Sequence, residues 1–282
     1  RRLGVAELPP AVAALIHDKA EGHPFFSEEL AYALRDAGLL LVEDGRARLA
    51  PGADLAALTF PNTIQGVITS RIDRLTPQQQ LTVKVASVIG RIFAYRVLTG
   101  VYPAEVDDAR LHDSLARLAQ LELTPLESPE PNLAYICKHL VTQEGVYSLM
   151  TQAQQQELHR RIARWYETTM EGDLERHYAV LAHHWRLAGD AARASDYYAG
   201  AGENAFRDFA NQEAIRYFER ALELAGPQTH LVQRARWLRL MGEARYRMTQ
   251  IDGSVRDYGA ALAALVWLLG RQRGRENNAR HL

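Results

Sequence analysis

The sequence predicts a mainly α-helical protein with two small β elements, and three observations lead to that prediction. Apolar residues recur with the 3.6-residue period of a helix along most of the chain. Two short segments, within residues 39–49 and 121–137, have the pattern of strands instead. The C-terminal half repeats its own apolar pattern, which is typical of stacked helical pairs.

The composition sets limits on the class of protein. The chain has 282 residues, a net charge of -1 and 47% hydrophobic residues, which favours two or three packed domains. A single cysteine excludes an internal disulfide and indicates a reducing, cytoplasmic compartment. The balanced charge favours neither nucleic acid nor an anionic membrane as partner. The chain begins at Arg1 and has no secretory signal, so we expect a piece of a larger protein.

Two helices and a hairpin are predicted within residues 1–60. Proline at a first helical position and glycine just past the last one mark the helices. They run from Pro10 to Gly22 and from Pro24 to Gly38, and a β-hairpin follows at residues 39–49.

Residues 61–150 have the pattern of a winged helix, preceded by a linker at residues 51–61. Helices are predicted at residues 63–75, 76–90, 95–101 and 107–120. Strands at residues 121–126 and 133–137 would form a two-stranded wing. The predicted domains are therefore residues 1–60, 61–150 and 151–282.

The last predicted domain reads as a tetratricopeptide-like (TPR-like) α-α superhelix. A set of small and aromatic residues recurs at a constant offset: Ala214, Phe218, Ala221 and Leu222 return as Ser254, Tyr258, Ala261 and Leu262. Small residues at helix crossings with aromatic neighbours suit stacked helical hairpins. A weaker echo precedes this set by half that offset, at Ala194, Tyr197 and Tyr198.

The sequence motifs of catalysis that we searched for are missing from this chain. No G-x-x-x-x-G-K-[ST] loop, G-x-S-x-G elbow or H-E-x-x-H pair is present, so no catalytic residue is predicted. His177, His183 and His184 could suggest a metal site. Their spacing does not give the i, i+4 pair that zinc sites use, so we expect helix-packing histidines and no metal.

Four further residues could in principle react or bind phosphate. Cys137 lies among apolar residues and is expected to be a small buried side chain rather than a reactive thiol. Arg71, Arg74 and Arg91 could meet phosphate, but solvated helix positions are the favoured interpretation because exposed arginine is common.

DNA binding is the usual question for a winged helix. The helix that would enter the groove begins with Asp107 and Asp108, where contacts to bases would be made. Acidic residues there repel phosphate, so we expect no nucleic-acid partner.

Four segments of the chain carry a family resemblance. Residues 19–30 read KAEGHPFFSEEL, residues 61–75 read PNTIQGVITSRIDRL, residues 86–91 read ASVIGR, and residues 135–147 read YICKHLVTQEGVY. Together these segments resemble signalling ATPases of the STAND class. The similarity is greatest to bacterial class III adenylate/guanylate cyclases that carry an AAA-type ATPase and TPR repeats. Related modules occur in LuxR-type transcription regulators and beside protein kinases.

The resemblance implies a nucleotide-binding role for Gly22, Pro24 and His139. In such ATPases a Gly-x-Pro turn of the lid domain lies against the adenine, and a winged-helix histidine meets the β-phosphate of ADP. His23 replaces the usual asparagine of the turn. Lys138 and Leu140 flank His139, where the family has methionine and aspartate.

The resemblance also implies how the whole protein is organised. Residues 1–60 would be the C-terminal part of the lid. ATP or ADP, with Mg held by a P-loop domain, would bind mainly upstream, and an effector domain would lie further upstream. The repeats would bind a protein or small ligand. The alternatives are a TPR-like protein-interaction scaffold without nucleotide contact and a segment of a LuxR-type transcriptional regulator.

Overall fold

The computed structural model describes residues 5, 7–20, 22–43, 45–53, 63–105, 107–226 and 231–279. It divides the chain into two compact units, Arg1–Gln155 and Gln156–Leu282. The mainly α-helical fold class is confirmed, with two small antiparallel sheets. The finer division into three domains stays a prediction.

The N-terminal unit begins with two helices and a hairpin, as predicted. Helices α1 (Pro10–Ala20) and α2 (Pro24–Asp36) are followed by strands β1 (Leu40–Glu43) and β2 (Arg46–Leu49), which pair antiparallel. Gly38 has a φ of +71°, the left-handed conformation that lets glycine end a helix. The predicted linker at residues 51–61 lies mostly outside the described residues.

Five helices and a three-stranded sheet complete this unit. They are α3 (Ile64–Asp73), α4 (Pro77–Ile89), β3 (Ile92–Ala94), α5 (Tyr95–Val101), α6 (Asp108–Gln120), β4 (Leu126–Ser128), β5 (Ala134–Ile136) and α7 (Leu140–Ser148). The predicted wing strands β4 and β5 pair antiparallel, and β3 adds to the other side of β5. Strand β3 was not predicted, because a strand of three residues is too short to show the alternation of apolar and polar residues.

The first wing strand starts later than the sequence predicts. Residues after α6 make a turn, in which Glu122 has a φ of +60° and the Leu123 N–H donates to the Leu118 carbonyl. This bond closes the C-terminus of α6 before the chain extends into β4. The hydrophobic run at residues 121–126 is therefore a buried turn at Leu121 and Leu123 rather than a strand.

The C-terminal unit is built from the helices that follow. They are α8 (Gln152–Thr169), α9 (Tyr178–Leu187), α10 (Ala191–Arg207), α11 (Asn211–Leu224), α12 (Leu231–Arg247) and α13 (Ile251–Ala279), with a 3-10 segment at Glu171–His177. Phe218 of α11 is fully buried with Trp237 of α12 in one apolar cluster, which joins successive helical pairs. The helical character predicted for this half is thus confirmed, and the tetratricopeptide-like repeat stays a prediction.

Three hairpin turns of this unit have the same construction. Gly189, Phe209 and Thr249 occupy the left-handed region, with φ values of +84°, +59° and +57°. At each turn the N–H of the next residue donates to a carbonyl in the last turn of the preceding helix, which closes the helix end. The spacing between these turns matches the offsets between the repeated residues of the sequence.

No helix within the described ranges combines the length and the apolar character needed to cross a membrane.

Candidate functional site

The predicted Gly-x-Pro turn forms the start of α2. Gly22 has a φ of +81°, which requires glycine for conformational rather than steric reasons, because a Cβ there would meet nothing within 4 Å. His23 is the N-cap residue, and its Nδ1 accepts a hydrogen bond from the Phe26 N–H at 3.3 Å. Pro24 follows at the first helical position, where it needs no hydrogen-bond partner. Histidine thus caps this helix.

His139 stands at the start of α7, and its side chain caps no backbone group. Its ring packs edge-on against the Phe25 ring, with centroids 4.7 Å apart. Its Nε2 lies 3.5 Å from a Glu28 carboxylate oxygen, is buried, and makes no hydrogen bond to the described part of the chain. The structure therefore places His139 beside Phe25, the residue that directly follows Pro24.

Lys138, next to His139, is held by polar neighbours on α2 and at the end of α6. Its Nζ lies 2.7 Å from the Tyr32 hydroxyl and 2.6 Å from a Glu122 carboxylate oxygen. Burial works against its charge, yet these hydrogen bonds raise the pKa of Lys138 above its usual range. Burial has the opposite effect on Tyr32 and raises the pKa of its hydroxyl. Lys138 is thus a fixed cation that is already neutralised.

Arg71 was predicted to be a solvated helix residue, and that prediction is wrong. Only 1% of its side chain is exposed. Its guanidinium bonds to Glu29 at 2.7 Å, to Asp36 at 2.9 Å and to the Leu121 carbonyl at 2.6 Å. We call Glu29, Asp36 and Arg71 the buried arginine cluster. It joins α2 to α3, the helices that carry two of the four resemblance segments.

A signal in the sequence could have revealed this burial. Arg71 shares the inward face of α3 with Val67, Ile68 and Ile72, which are buried. A charged residue on an apolar stripe requires a partner of opposite charge. Arg74, which faces away from that stripe, and Arg91 are exposed as expected.

The helix weighed for DNA binding is α6. It begins at Asp108, whose carboxylate accepts a hydrogen bond from the Tyr95 hydroxyl. Asp107 precedes it without capping a backbone N–H. Its first turn therefore presents acidic groups where a recognition helix would contact bases.

Of the three histidines predicted to pack between helices, His177 is half-buried against Tyr166 and His183 is exposed. His184 is buried between helices, as predicted. Its Nδ1 lies 2.8 Å from Nδ1 of His159 on α8, and both rings are buried. Burial lowers the pKa of His159 to about 4 and lowers that of His184 well below its usual value. His159 was not identified from sequence. Among the described residues, no three His, Cys, Asp or Glu side chains are arranged to hold a metal.

Cys137 is buried, as expected. Burial raises the pKa of its thiol to about 12, although the charge of Arg91 opposes that rise. The thiolate is therefore scarcely populated near neutral pH, which makes this cysteine a poor nucleophile.

A groove of about 520 Å³ lies along the helical pairs of the C-terminal unit. Its lining includes Tyr178, Asn204, Arg207, Glu213 and Tyr217. Arg207 bonds to Glu175 at 3.1 Å, and the Asn204 amide donates to the Glu175 carbonyl at 2.9 Å. The groove combines aromatic walls with charges of both signs, which suits a polar peptide or small molecule.

The N-terminal part of the chain matches the model of a known protein family. Residues 1–48 match the model of a family described as a domain of unknown function (DUF8739). This range holds α1, α2 and most of the first hairpin, with Gly22 and Pro24, but not His139. No curated protein matches the chain.

Proposed function

We propose that this chain is the regulatory segment of a cytoplasmic STAND-type signalling ATPase. The lid and the winged helix would close on ATP or ADP held, with Mg, by an upstream P-loop domain. The helical repeats would bind a protein or small ligand and shift the balance between two packings. The effector domain under this control would be an adenylate/guanylate cyclase.

The contact between His139 and Phe25 is the observation that supports this proposal. The resemblance assigns nucleotide contact to Gly22, Pro24 and His139, and the histidine lies far from the other two in the sequence. Phe25 follows Pro24 directly, and its ring touches that of His139. The two predicted nucleotide contacts, the turn and the histidine, therefore belong to one region of the N-terminal unit.

This region offers a polar atom and an apolar ring with which a nucleotide could interact. His139 Nε2 is a buried polar atom without a hydrogen-bond partner among the described residues, and such an atom gains free energy when a partner reaches it. The imidazole could donate to a phosphate oxygen at the start of α7, where the helix dipole also favours an anion. Pro24 would offer its apolar ring to the base.

Glu28 favours a second candidate function, a protein-interaction scaffold without nucleotide contact. Its carboxylate lies 3.5 Å from His139 Nε2, where it would repel a phosphate. In this alternative, the Glu28–His139 pair would stabilise the junction of α2 and α7, and the repeats alone would bind partners.

The rate of ADP release from the parent protein separates the two functions. The parent would be loaded with fluorescent ADP and chased with unlabelled ATP. His139→Ala removes a charge-assisted hydrogen bond of about 1.5 kcal/mol, so we expect ADP to leave about tenfold faster.

His112→Ala is the matched control, because His112 lies on α6, is partly exposed, and stacks on Tyr95 instead. It should leave the release rate unchanged. Equal release from the His139→Ala variant and the unsubstituted protein would favour the scaffold. A parent gene without an upstream P-loop would exclude the ATPase.

A further inference from the structure

An open apolar groove lies between α12 and α13, and we call it the end groove. Its volume is about 500 Å³. It is lined by Val232, Ala235, Arg236 and Arg239 of α12 and by Tyr258, Ala261, Leu262 and Leu265 of α13. Leu262 is 63% exposed and Leu265 is 38% exposed, so large apolar side chains line it at the surface.

The internal repeat shows what occupies such a groove. Four of the eight equivalent positions of the preceding repeat are buried, and they are Ser195 and Ala199 of α10 and Phe218 and Ala221 of α11. A helix fills that earlier groove, because Trp237, Leu240 and Met241 of α12 share its apolar cluster. The end groove repeats this architecture and therefore suits a helix with an apolar stripe.

The charges at the rim of the end groove are already paired. Arg236 bonds to Glu203 at 2.8 Å, and Arg239 bonds to Glu243 at 3.3 Å. The rim thus demands no acidic residue from the occupant. This favours an apolar helix over an acidic peptide.

Helix α13 itself carries a stripe of the required kind, which we call the α13 seam. Its residues are Ile251, Val255, Tyr258, Leu262, Leu265 and Leu269, and all but Tyr258 are exposed. They alternate by four and three positions, the spacing of the a and d positions of a coiled coil. The adjacent side of the helix, about 90° around it from the seam, packs on α12 through Ser254, Asp257 and Ala261 and is buried.

The spacing of the α13 seam reads the same in both directions. A second copy running antiparallel would therefore place each seam residue opposite a seam residue, with Tyr258 facing Leu262 and Val255 facing Leu265. Such a two-fold arrangement is self-complementary, since the same surface serves both partners. It would also let each α13 enter the end groove of the other copy.

We propose that the end groove and the α13 seam form a homodimer interface, in which two copies pair through α12 and α13. The occupant is the α13 helix of the second copy. The dimer interface would contain four helices, α12 and α13 of each copy, packed as in a left-handed helical bundle. It would place two effector-bearing chains side by side, and it forms with or without nucleotide contact.

Sedimentation velocity of the chain over a range of micromolar concentrations tests this interface. The unsubstituted chain should sediment with twice the monomer mass at the upper concentrations. Leu262→Asp buries a charge at the centre of the seam, so the dissociation constant should rise about 100-fold or more. Leu269→Asp, further along the same seam, should have the same effect.

Ala263→Asp is the matched control, because Ala263 is exposed on the same helix but lies about 100° around it from Leu262. It should leave the dimer intact. Both leucines are exposed in the monomer, so the variants should keep the circular dichroism spectrum of the unsubstituted chain. A monomer at every concentration would overturn the proposal, and so would a dimer that survives both seam substitutions.

Discussion

The N-terminal unit holds Arg71 between two carboxylates, whereas the C-terminal unit holds His184 against a second histidine. Each of the three guanidinium nitrogens of Arg71 has a hydrogen-bond partner. The histidine pair is buried in its neutral form, with one ring donating to the other. The two units therefore differ in what would break them: loss of a partner in the first, and addition of a proton in the second.

The surrounding packing differs in the same way. In the N-terminal unit, long polar side chains join helices across the core, and Tyr32 lies beneath the cations of Arg71 and Lys138. In the C-terminal unit, small residues bring helices close together. A Cβ on Gly202 would lie 2.9 Å from the ring of Phe218. Directional charges fix a single arrangement, while close packing of small residues can be repeated along a stack.

Removing Arg71 should have the largest effect. Arg71→Ala leaves the buried carboxylate of Glu29 without its partner, which costs about 3–5 kcal/mol of unfolding free energy. Amide hydrogen exchange of peptides from α2 and α3 would measure the loss locally. Arg74→Ala, at the exposed C-terminal end of the same helix, should change exchange by no more than about 0.5 kcal/mol. Similar effects of the two substitutions would contradict a structural role for the cluster.

Acid should destabilise the C-terminal unit through the histidine pair. Folding lowers the pKa of His159 from 6.5 to about 4. The neutral histidine therefore contributes its full share to the free energy of unfolding above about pH 6.5. This contribution is lost progressively as the pH falls toward 4, by about 3 kcal/mol at the lower end. Burial is the main cause of this lowered pKa, and the charges of His183 and Arg186 contribute to it.

Tryptophan fluorescence during urea unfolding would follow this loss, since Trp165, Trp185, Trp237 and Trp267 all lie in the C-terminal unit. The variant His159→Gln removes one titrating ring and should flatten the dependence between pH 6.5 and 4. An equally steep dependence in that variant would assign the acid sensitivity to other groups.

The close packing of small residues should give the smallest of the three effects. Gly202→Ala forces a methyl group against the fully buried Phe218 ring, which should cost about 1–3 kcal/mol. Gly259→Ala on α13 meets nothing within 4 Å and should instead stabilise its helix by about 0.5–1 kcal/mol. The same fluorescence assay would show whether the two substitutions move stability in opposite directions.

Local rules predicted most of the fold. Helix α5 was placed at residues 95–101 and is observed at Tyr95–Val101, and the capping box that starts α4 at Thr76 is present. Strand β3 and the turn at Glu122 were missed. In both cases bonds to other parts of the chain decide the conformation: β3 exists because it bonds to β5, and Glu122 follows from the closure of α6.

The candidate site was predictable only in part. The roles of Gly22 and Pro24 in a turn follow from their backbone properties, and that part is observed. The packing of His139 on Phe25 and the pairing of His159 with His184 join residues from separate helices, so no local pattern could indicate them. The burial of Arg71 differs from these contacts, because the sequence does contain a signal for it. Arg71 lies on an apolar stripe of α3, where a charged residue requires a partner of opposite charge.

The shared turns at Gly189, Phe209 and Thr249 have a consequence for how such a stack can change in length over evolution. The same backbone hydrogen bond closes each turn, so glycine, phenylalanine and threonine all serve at the same place. A duplicated or deleted helical pair would therefore meet its neighbours in the same orientation, whatever residue stands at the corner. Gene duplication in steps of one helical pair could lengthen or shorten the stack while leaving the end groove unaltered in shape.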